Sequence, residues 1–225
     1  AVKKQKIEKR PTRVRRAVRS VVIMLCALLI SNMLGGGHLT RAMALRDGEQ
    51  RYGVYEKTHE LASLPAANIG KTLRVTLMAS ENVTYCGASN FYTLLGWQEA
   101  FGSALDCADG ERVHAGRWSM SRGQGNDALF FWGRIDDAVI ARAEVVQQRA
   151  VSRQDDGCTF ETINVTPLDF IEDGGYRYFL ARGATSGEPY YNELASDAFF
   201  LVCYDSGENE VLRSEIGVTV SSSFG

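Results

Sequence analysis

The chain has 225 residues, of which 45% are hydrophobic and 23% are charged, and its formal net charge is −2. These proportions are typical of a globular protein and exclude a disordered, collagen-like or multi-spanning membrane chain. The small net charge conceals an asymmetry, because residues 1–20 hold nine Lys or Arg and one acidic residue. The other 205 residues carry 16 basic and 26 acidic side chains, so a basic tail precedes an acidic body.

An apolar segment follows the basic tail. Residues 21–30 include no polar side chain, and the segment continues through residue 34 to three glycines at 35–37. A helix that is apolar on all sides needs hydrocarbon or a deep core around it. Positive charge before such a segment orients its N-terminus toward the cytoplasm. The sequence therefore predicts a cytoplasmic tail over residues 1–20 and a transmembrane anchor or signal-peptide apolar region over 21–37.

The length of this segment leaves two fates open. As a helix, residues 21–34 would extend roughly 21 Å, which is less than the ~30 Å hydrocarbon core of a bilayer. That length suits the apolar region of a signal peptide, and Ala42, Met43 and Ala44 fit a cleavage site after Ala44. The long basic tail favours a retained anchor. We therefore predict a single-pass membrane protein with its C-terminal domain outside, and secretion after cleavage is the alternative.

The rest of the chain has the pattern of β-structure. From residue 71 onward, apolar and polar side chains alternate in short runs, as they do in half-buried strands. Roughly seven such runs, separated by Gly, Asp and Asn, favour an Ig-like β-sandwich as one exported domain over residues 71–225. The predicted strands lie at residues 73–77, 83–86, 128–132, 158–165, 176–181, 198–204 and 211–220, and the run at 128–132 is apolar throughout.

Three stretches fit this pattern less well. Residues 38–70 are predicted to form a linker or arm, with a short helix as one possibility. Residues 88–106 are apolar and aromatic enough for a helix or a packed loop. Residues 138–146 fit either a strand or a helix, because their apolar positions are compatible with both periods.

The cysteines bear on the compartment. Cys26 lies in the apolar segment and the other four lie in the exported part. An even number of cysteines in an exported domain predicts two disulfides, although the sequence permits three pairings. The simplest pairing stays within each half of the domain, as Cys86–Cys107 and Cys158–Cys203, and each bridge would contribute about 2–4 kcal/mol.

Motifs for metal binding or catalysis are not recognisable. The sequence has no C-x-x-C, and His38, His59 and His114 show no ligand spacing, so we predict no metal site and no cofactor. Asp136 and Asp137 are neighbours whose side chains would point to opposite faces of a strand, which predicts a turn and not a catalytic pair. No catalytic residue is predicted, and the balance is against an enzyme.

Aromatic residues are the remaining candidates for a binding site. Most aromatic side chains of a domain this size belong to the core. Those in irregular stretches are better placed as exposed anchors for a ligand. The predicted ligand-binding residues are Tyr92 and Trp97 in the 88–106 region, and Tyr190 and Tyr191 in the long loop before the last hairpin.

Three stretches carry a resemblance to a group of known proteins: residues 132–146, 175–180 and 203–212. They run from a strand into a short Asp-containing turn, then into an aromatic strand, and end in a hairpin with an aromatic-Asp-x-Gly sequence. In this they resemble uncharacterised envelope proteins of Gram-positive bacteria with one N-terminal membrane segment and an exported β-sandwich domain. The resemblance implies a fold and a location, and no activity.

These observations favour an extracytoplasmic binding, sensing or scaffold domain of unknown ligand. Its expected partners are membrane lipid and an envelope protein or glycan. Nucleic acid is not expected, because the basic tail has no interleaved aromatics and no fold to present it. The alternatives are an exported hydrolase whose site is not visible in the sequence, and a membrane signalling protein that acts through its basic tail.

Overall fold

A computed structural model describes residues 13–34, 37–92, 96–121, 127–154, 157–184 and 197–223. Within these ranges the chain forms two helices and thirteen strands. In chain order they are α1 (Arg13–Leu34), α2 (Arg41–Arg51), β1 (His59–Pro65), β2 (Arg74–Ala79), β3 (Val83–Tyr92), β4 (Gly96–Asp106), β5 (Val113–Ser121), β6 (Asp127–Ile135), β7 (Arg142–Gln154), β8 (Gly157–Pro167), β9 (Ile171–Asp173), β10 (Tyr176–Gly183), β11 (Asp197–Tyr204), β12 (Glu210–Glu215) and β13 (Val218–Ser223).

The strands form three sheets, which confirms the prediction of a mainly β protein. Sheet A has the order β1-β2-β3-β4, sheet B the order β13-β5-β6-β10-β9, and sheet C the order β12-β11-β7-β8. Neighbouring strands pair antiparallel, except that β13 pairs with β5 in parallel. The expected sandwich has two sheets, and the structure differs from it by having a third.

Sheet B lies between the other two sheets because its strands are apolar on both faces. Along β6, alternate side chains enter two separate cores. The core shared with sheet A receives Ala128, Phe130 and Trp132. The core shared with sheet C receives Leu129, Phe131 and Ile135. A strand buried on both faces reads as a continuous apolar run, which explains the composition of residues 128–132.

The structure defines the elements of four stretches whose form the sequence left open or predicted differently, and the helix in 38–70 and the strand in 138–146 were among the predicted possibilities. The 38–70 region holds α2 and β1. The described residues of 88–106, a stretch predicted as a helix or packed loop, belong to the paired strands β3 and β4, in which Ala88 pairs with Phe101. Residues 138–146 begin as a turn and enter β7 only at Arg142, while residues 211–220 divide between β12 and β13.

Helix α1 carries its large apolar side chains on the outside. The five consecutive residues 21–25 are each 49–57% exposed, and at 100° per residue they cover every side of the helix. Among the residues that the structure describes, neither helix combines the length and the apolar composition needed to cross a membrane.

The predicted disulfides are wrong. Cys86, Cys107 and Cys203 are buried free thiols. Cys86 pairs in register with Ser103, whereas the amide of Cys107 donates to the carbonyl of Asn82, four residues before Cys86 in the chain. This offset separates the two Cα atoms by roughly 13 Å, and a disulfide requires less than about 7 Å.

The second predicted pair is also too far apart. Cys203 lies opposite Ala143, and the backbone of Cys158 lies opposite Arg153 on the same strand, β7. Ten residues of extended chain, roughly 33 Å, therefore separate the two cysteines. Sequence spacing alone suggested both pairs, and the strand register excludes them.

We expect the three buried thiols to resist alkylation in the folded protein and to react fully after unfolding. Burial raises the pKa of Cys203 to about 12, so almost no reactive thiolate exists at neutral pH. Peptide mass spectrometry after iodoacetamide treatment, with and without denaturant, locates the modified cysteines. A bridge at any of the three would appear as a peptide that is alkylated only after reduction, and would contradict this prediction.

Replacement of Gly133 by Ala should destabilise the fold by roughly 2–4 kcal/mol. A Cβ at this position of β6 would lie 2.1 Å from the carbonyl oxygen of His114 and 2.7 Å from Cζ of Phe179. The matched control is Gly217→Ala, because a Cβ there meets nothing within 4 Å. Urea unfolding of the full chain in mild detergent, followed by tryptophan fluorescence, measures both variants; equal midpoints would refute the close packing of β6.

Candidate functional site

The end of the β3–β4 hairpin carries exposed aromatic side chains. Phe91 lies directly opposite Trp97 in the register, so the two share one face, and their ring centroids are 5.5 Å apart. Tyr92 is opposite Gly96 and therefore points to the other face. Phe91 and Tyr92 are each 42% exposed, and Trp97 is half-buried.

The structure therefore rearranges the predicted aromatic site. Tyr92 and Trp97 lie at the same hairpin end but on opposite faces, and Phe91 is the partner of Trp97. Alternation along a strand is the signal that would have selected Phe91, once the hairpin was recognised. Tyr190 and Tyr191 lie outside the described residues.

This aromatic end is connected directly to α1. His38 and Trp97 form a β-bridge, with hydrogen bonds of 2.7 and 2.9 Å between their backbone groups. Only three residues separate His38 from Leu34, the last residue of α1. Four extended peptide units reach at most about 14 Å, so the end of α1 must lie close to the aromatic hairpin end.

Helix α2 fixes the hairpin from outside the sheet. Gly48 allows α2 to approach β4 closely, since a Cβ there would lie 1.9 Å from Oε1 of Glu99. Glu99 accepts a hydrogen bond from the hydroxyl of buried Tyr85, and its other oxygen is 3.5 Å from Arg51. Burial raises the pKa of Glu99 above its ordinary value of 4.5, although Tyr85 and Arg51 oppose the shift.

The opposite end of the sheets is polar and centres on Arg134. This buried guanidinium binds both carboxylate oxygens of Asp136 and donates to the carbonyls of Glu81, at 2.6 Å, and Cys107, at 3.0 Å. It also lies over the ring of Tyr176, 4.1 Å from its centroid. One side chain therefore joins the β2–β3 turn, the connection after β4, and sheet B.

A groove of roughly 410 Å³ opens beside Asp136 at this polar end. Glu172 and Asp173 add acidic groups to its lining. Asp136 is bound by Arg134, and Oδ2 of Asp173 lies 2.9 Å from Nε2 of His59, at hydrogen-bond distance. Two of the three carboxylates thus have a basic partner.

Asp137 has a structural role, as its predicted position in a turn implies. One oxygen accepts from the amide of Val139 at 2.9 Å and the other binds Arg112. These hydrogen bonds lower the pKa of Asp137 below its ordinary value. Asp136 and Asp137 have different arginine partners and do not form a catalytic pair.

A second cavity, of roughly 370 Å³, lies between α2 and β1. Its buried carboxylate, Glu49, is bound by Arg46 at 2.8 Å and by the hydroxyl of Thr58. The network holds the chain after α2 in place and leaves this carboxylate bound on both oxygens.

A group of possible metal ligands lies beside the polar end, in the connection between β4 and β5 and at the start of β5. It consists of Asp109, Glu111 and His114. Histidine spacing alone provided no reason to assign His114 a ligand role. The pattern that could have identified it is Asp-x-Glu-x-x-His, in which two carboxylates precede the histidine.

The chain matches no protein-family model, no curated protein and no solved structure. Its function is therefore inferred from the geometry of its own residues.

The raised pKa of Glu99 predicts a specific pH dependence. Since the folded state holds this proton more tightly than the unfolded state, protonated Glu99 stabilises the fold fully below about pH 4.5, and this contribution is lost as the pH rises through the raised pKa. Glu99→Gln keeps a neutral acceptor for Tyr85 and should gain stability relative to wild type as the pH rises.

Urea unfolding midpoints between about pH 4.5 and pH 8 measure this difference. Glu161→Gln on the exposed part of β8 is the control and should follow the wild-type curve. A constant difference between Glu99→Gln and wild type across this range would show that Glu99 does not titrate with a raised pKa.

Proposed function

We propose that the protein is a binding or scaffold domain held at the outer surface of a membrane by α1, with membrane lipid as its first partner. In the orientation that the positive charge favours, the basic tail, residues 1–20, lies on the cytoplasmic side and the β-sheets lie outside. Since α1 is not apolar over the full length of an ordinary membrane span, this arrangement requires the bilayer to thin locally around residues 21–34 and the preceding arginines to extend to the headgroups. An envelope protein or glycan is the partner class for the polar end.

The observation that carries this proposal is the exposure of apolar side chains around α1. Residues 21–25 are all apolar and all about half exposed, and none of them contributes to either core of the β-sheets. A contiguous apolar surface of this kind marks a site of contact with membrane or protein. The arginines that immediately precede it favour an anionic lipid surface.

The packing of α2 supports a retained anchor over cleavage at Ala44. Ala44 is fully buried, and Thr40 caps α2 by accepting from the amide of Met43 at 3.2 Å. Arg41 donates to Glu60 and Ser63, both at 3.0 Å, and so joins the start of α2 to β1. Cleavage after Ala44 would remove these contacts and the bridge between His38 and Trp97.

The aromatic hairpin end supports the same arrangement. Trp and Tyr are enriched at membrane–water interfaces, where an apolar ring and a polar group are both accommodated. Phe91, Tyr92 and Trp97 lie within a short peptide of the end of α1. In this proposal they rest in the interface, while the polar end points roughly 30 Å away from the membrane, the length of ten-residue β3.

Two predictions from the sequence have less support, the exported location of the domain and the Ig-like form of its sandwich. The free thiols remove the disulfide argument for an exported domain, so the proposed location depends on α1 and on the charge of the tail. The Ig-like form of the sandwich stays a prediction. It is supported by sheets A and B packing face to face through one apolar core.

An exported hydrolase is the second candidate function, and the groove at the polar end favours it. A cavity with several carboxylates and a nearby buried histidine is the usual form of an uncharacterised active site. Hydrolysis would require Asp136 or Glu172 to act on a bound substrate. Loss of turnover in Glu172→Gln, with stability unchanged, would support this candidate over the scaffold.

Quenching of Trp97 by lipid tests the proposed function. The full chain, reconstituted in vesicles with a spin-labelled headgroup, should float with the vesicles and show quenched tryptophan fluorescence. The signal is specific, because Trp118 and Trp132 are fully buried. Trp97→Phe should therefore abolish the quenched component.

The matched control places a tryptophan at the polar end. Val139 is 58% exposed in the turn after β6, so Val139→Trp in the Trp97→Phe background reports on that end. It should fluoresce without quenching. Quenching at position 139 but not at 97 would invert the proposed orientation, and a chain that stays unbound would refute the anchor.

A further inference from the structure

Three side chains that can bind metal converge where β4 connects to β5. One carboxylate oxygen each of Asp109 and Glu111 and one ring nitrogen of His114 lie within 4.8 Å of one another. Asp109 and Glu111 are exposed, whereas His114 is only 6% exposed. The cluster is therefore open to solvent on its carboxylate side and fixed in the protein on its histidine side.

His114 provides an independent indication of a ligand. Its Nε2 is buried and has no hydrogen-bond partner among the residues that the structure describes. That atom lies 3.5 Å from Oδ1 of Asp109 and 3.9 Å from Oδ2 of Asp136, so it points into a cluster of carboxylates. A buried polar atom without a partner is unfavourable, and such an atom in a native structure commonly marks an ion or water.

We propose that Asp109, Glu111 and His114 bind a divalent transition-metal ion, with Zn²⁺ as the best-fitting example. An imidazole nitrogen with carboxylate oxygens is a donor set found in zinc sites, and a hard ion such as Ca²⁺ would prefer oxygen ligands alone. Two ligands on a tetrahedral Zn²⁺ ion lie about 3.4 Å apart, which agrees with the Nε2–Oδ1 distance of 3.5 Å.

The local structure pre-organises two of the three ligands. His114 belongs to β5, where it pairs with Arg134 of β6, so its backbone is held by sheet B. Oδ1 of Asp109 accepts from the amide of Glu111 at 2.9 Å, which orients the carboxylate and leaves a lone pair for a metal. Glu111 is exposed, and one of its carboxylate oxygens lies within 4.8 Å of the ligand atoms of Asp109 and His114.

The surrounding charges leave this cluster acidic. Asp136 is neutralised by Arg134 and Asp137 by Arg112. In the described part of the chain, no Lys or Arg forms an ion pair with Asp109 or Glu111. A cation would therefore be attracted to these two carboxylates and not to the neighbouring pairs.

Three protein ligands leave a coordination position open to solvent for water or for an oxygen donor of a partner. Asp136 lies 3.9 Å from His114 and also lines the acidic groove, so the metal and the groove are neighbours. This assignment does not depend on the membrane location of the protein.

Titration of the metal-free full chain in mild detergent, without a histidine tag, tests the proposal. Zn²⁺ competition against a chromophoric chelator gives affinity and stoichiometry, and Co²⁺ absorption reports the ligand geometry. We expect one ion per chain. Asp109→Asn/Glu111→Gln and His114→Gln should each weaken binding about tenfold or more.

Two controls separate the site from general attraction to an acidic surface. Glu81→Gln/Glu172→Gln removes the same charge from exposed carboxylates at the polar end and should keep wild-type affinity. His59→Gln tests the other histidine–carboxylate pair, with Asp173.

The proposal would be overturned if both double variants weakened Zn²⁺ binding equally. It would also be overturned if His59→Gln lost Zn²⁺ binding while His114→Gln kept it. Absence of stoichiometric binding by wild type would do the same. Far-ultraviolet circular dichroism of each variant shows whether it has folded, and the exposed pair Asp109→Asn/Glu111→Gln keeps the test valid if His114→Gln does not fold.

Discussion

The burial of sheet B on both faces is the constraint on which the rest of the structure depends. Strand β6 sends alternate side chains into two cores, so sheets A and C each pack against it with one apolar face. Strand β5 must approach β6 closely at Gly133, because a Cβ there would lie 2.1 Å from the carbonyl oxygen of His114. The layered arrangement fixes the strand directions, and these directions place an aromatic end and a polar end on opposite sides of the molecule.

Arg134 connects this architecture to the polar end. It stands near the end of β6, where the apolar alternation stops, and its buried charge is balanced by Asp136. A buried guanidinium requires such partners, because an unpaired charge there would be strongly destabilising. Its bonds to the carbonyls of Glu81 and Cys107 hold the connection that carries Asp109 and Glu111. The core and the proposed metal ligands therefore share one structural support.

The sequence was sufficient for the strand content and insufficient for the sheet arrangement. Alternation located β2 and β8, because half-buried strands require it, whereas apolar or aromatic runs next to turn residues located β6, β10 and β11. The run at 128–132 was recognised as a strand, but its two apolar faces, which imply a third sheet, were not. The 88–106 hairpin was missed because aromatic and glycine-rich strands resemble a packed loop. Tyr92 and Trp97 were chosen from that region as ligand anchors, and only the register with Gly96 and Phe91 shows that they lie on opposite faces.

The cysteines show why long-range chemistry is difficult to read from spacing. An even count suggested disulfides, yet the three buried thiols, Cys86, Cys107 and Cys203, are small apolar side chains in a core or beside it. Cys86 and Cys203 occupy different cores, on opposite sides of sheet B. Buried thiols with raised pKa values are inert in oxidising and reducing surroundings alike, so they do not discriminate between compartments. Location must then be argued from α1, whose exposed apolar side chains have no place in either core.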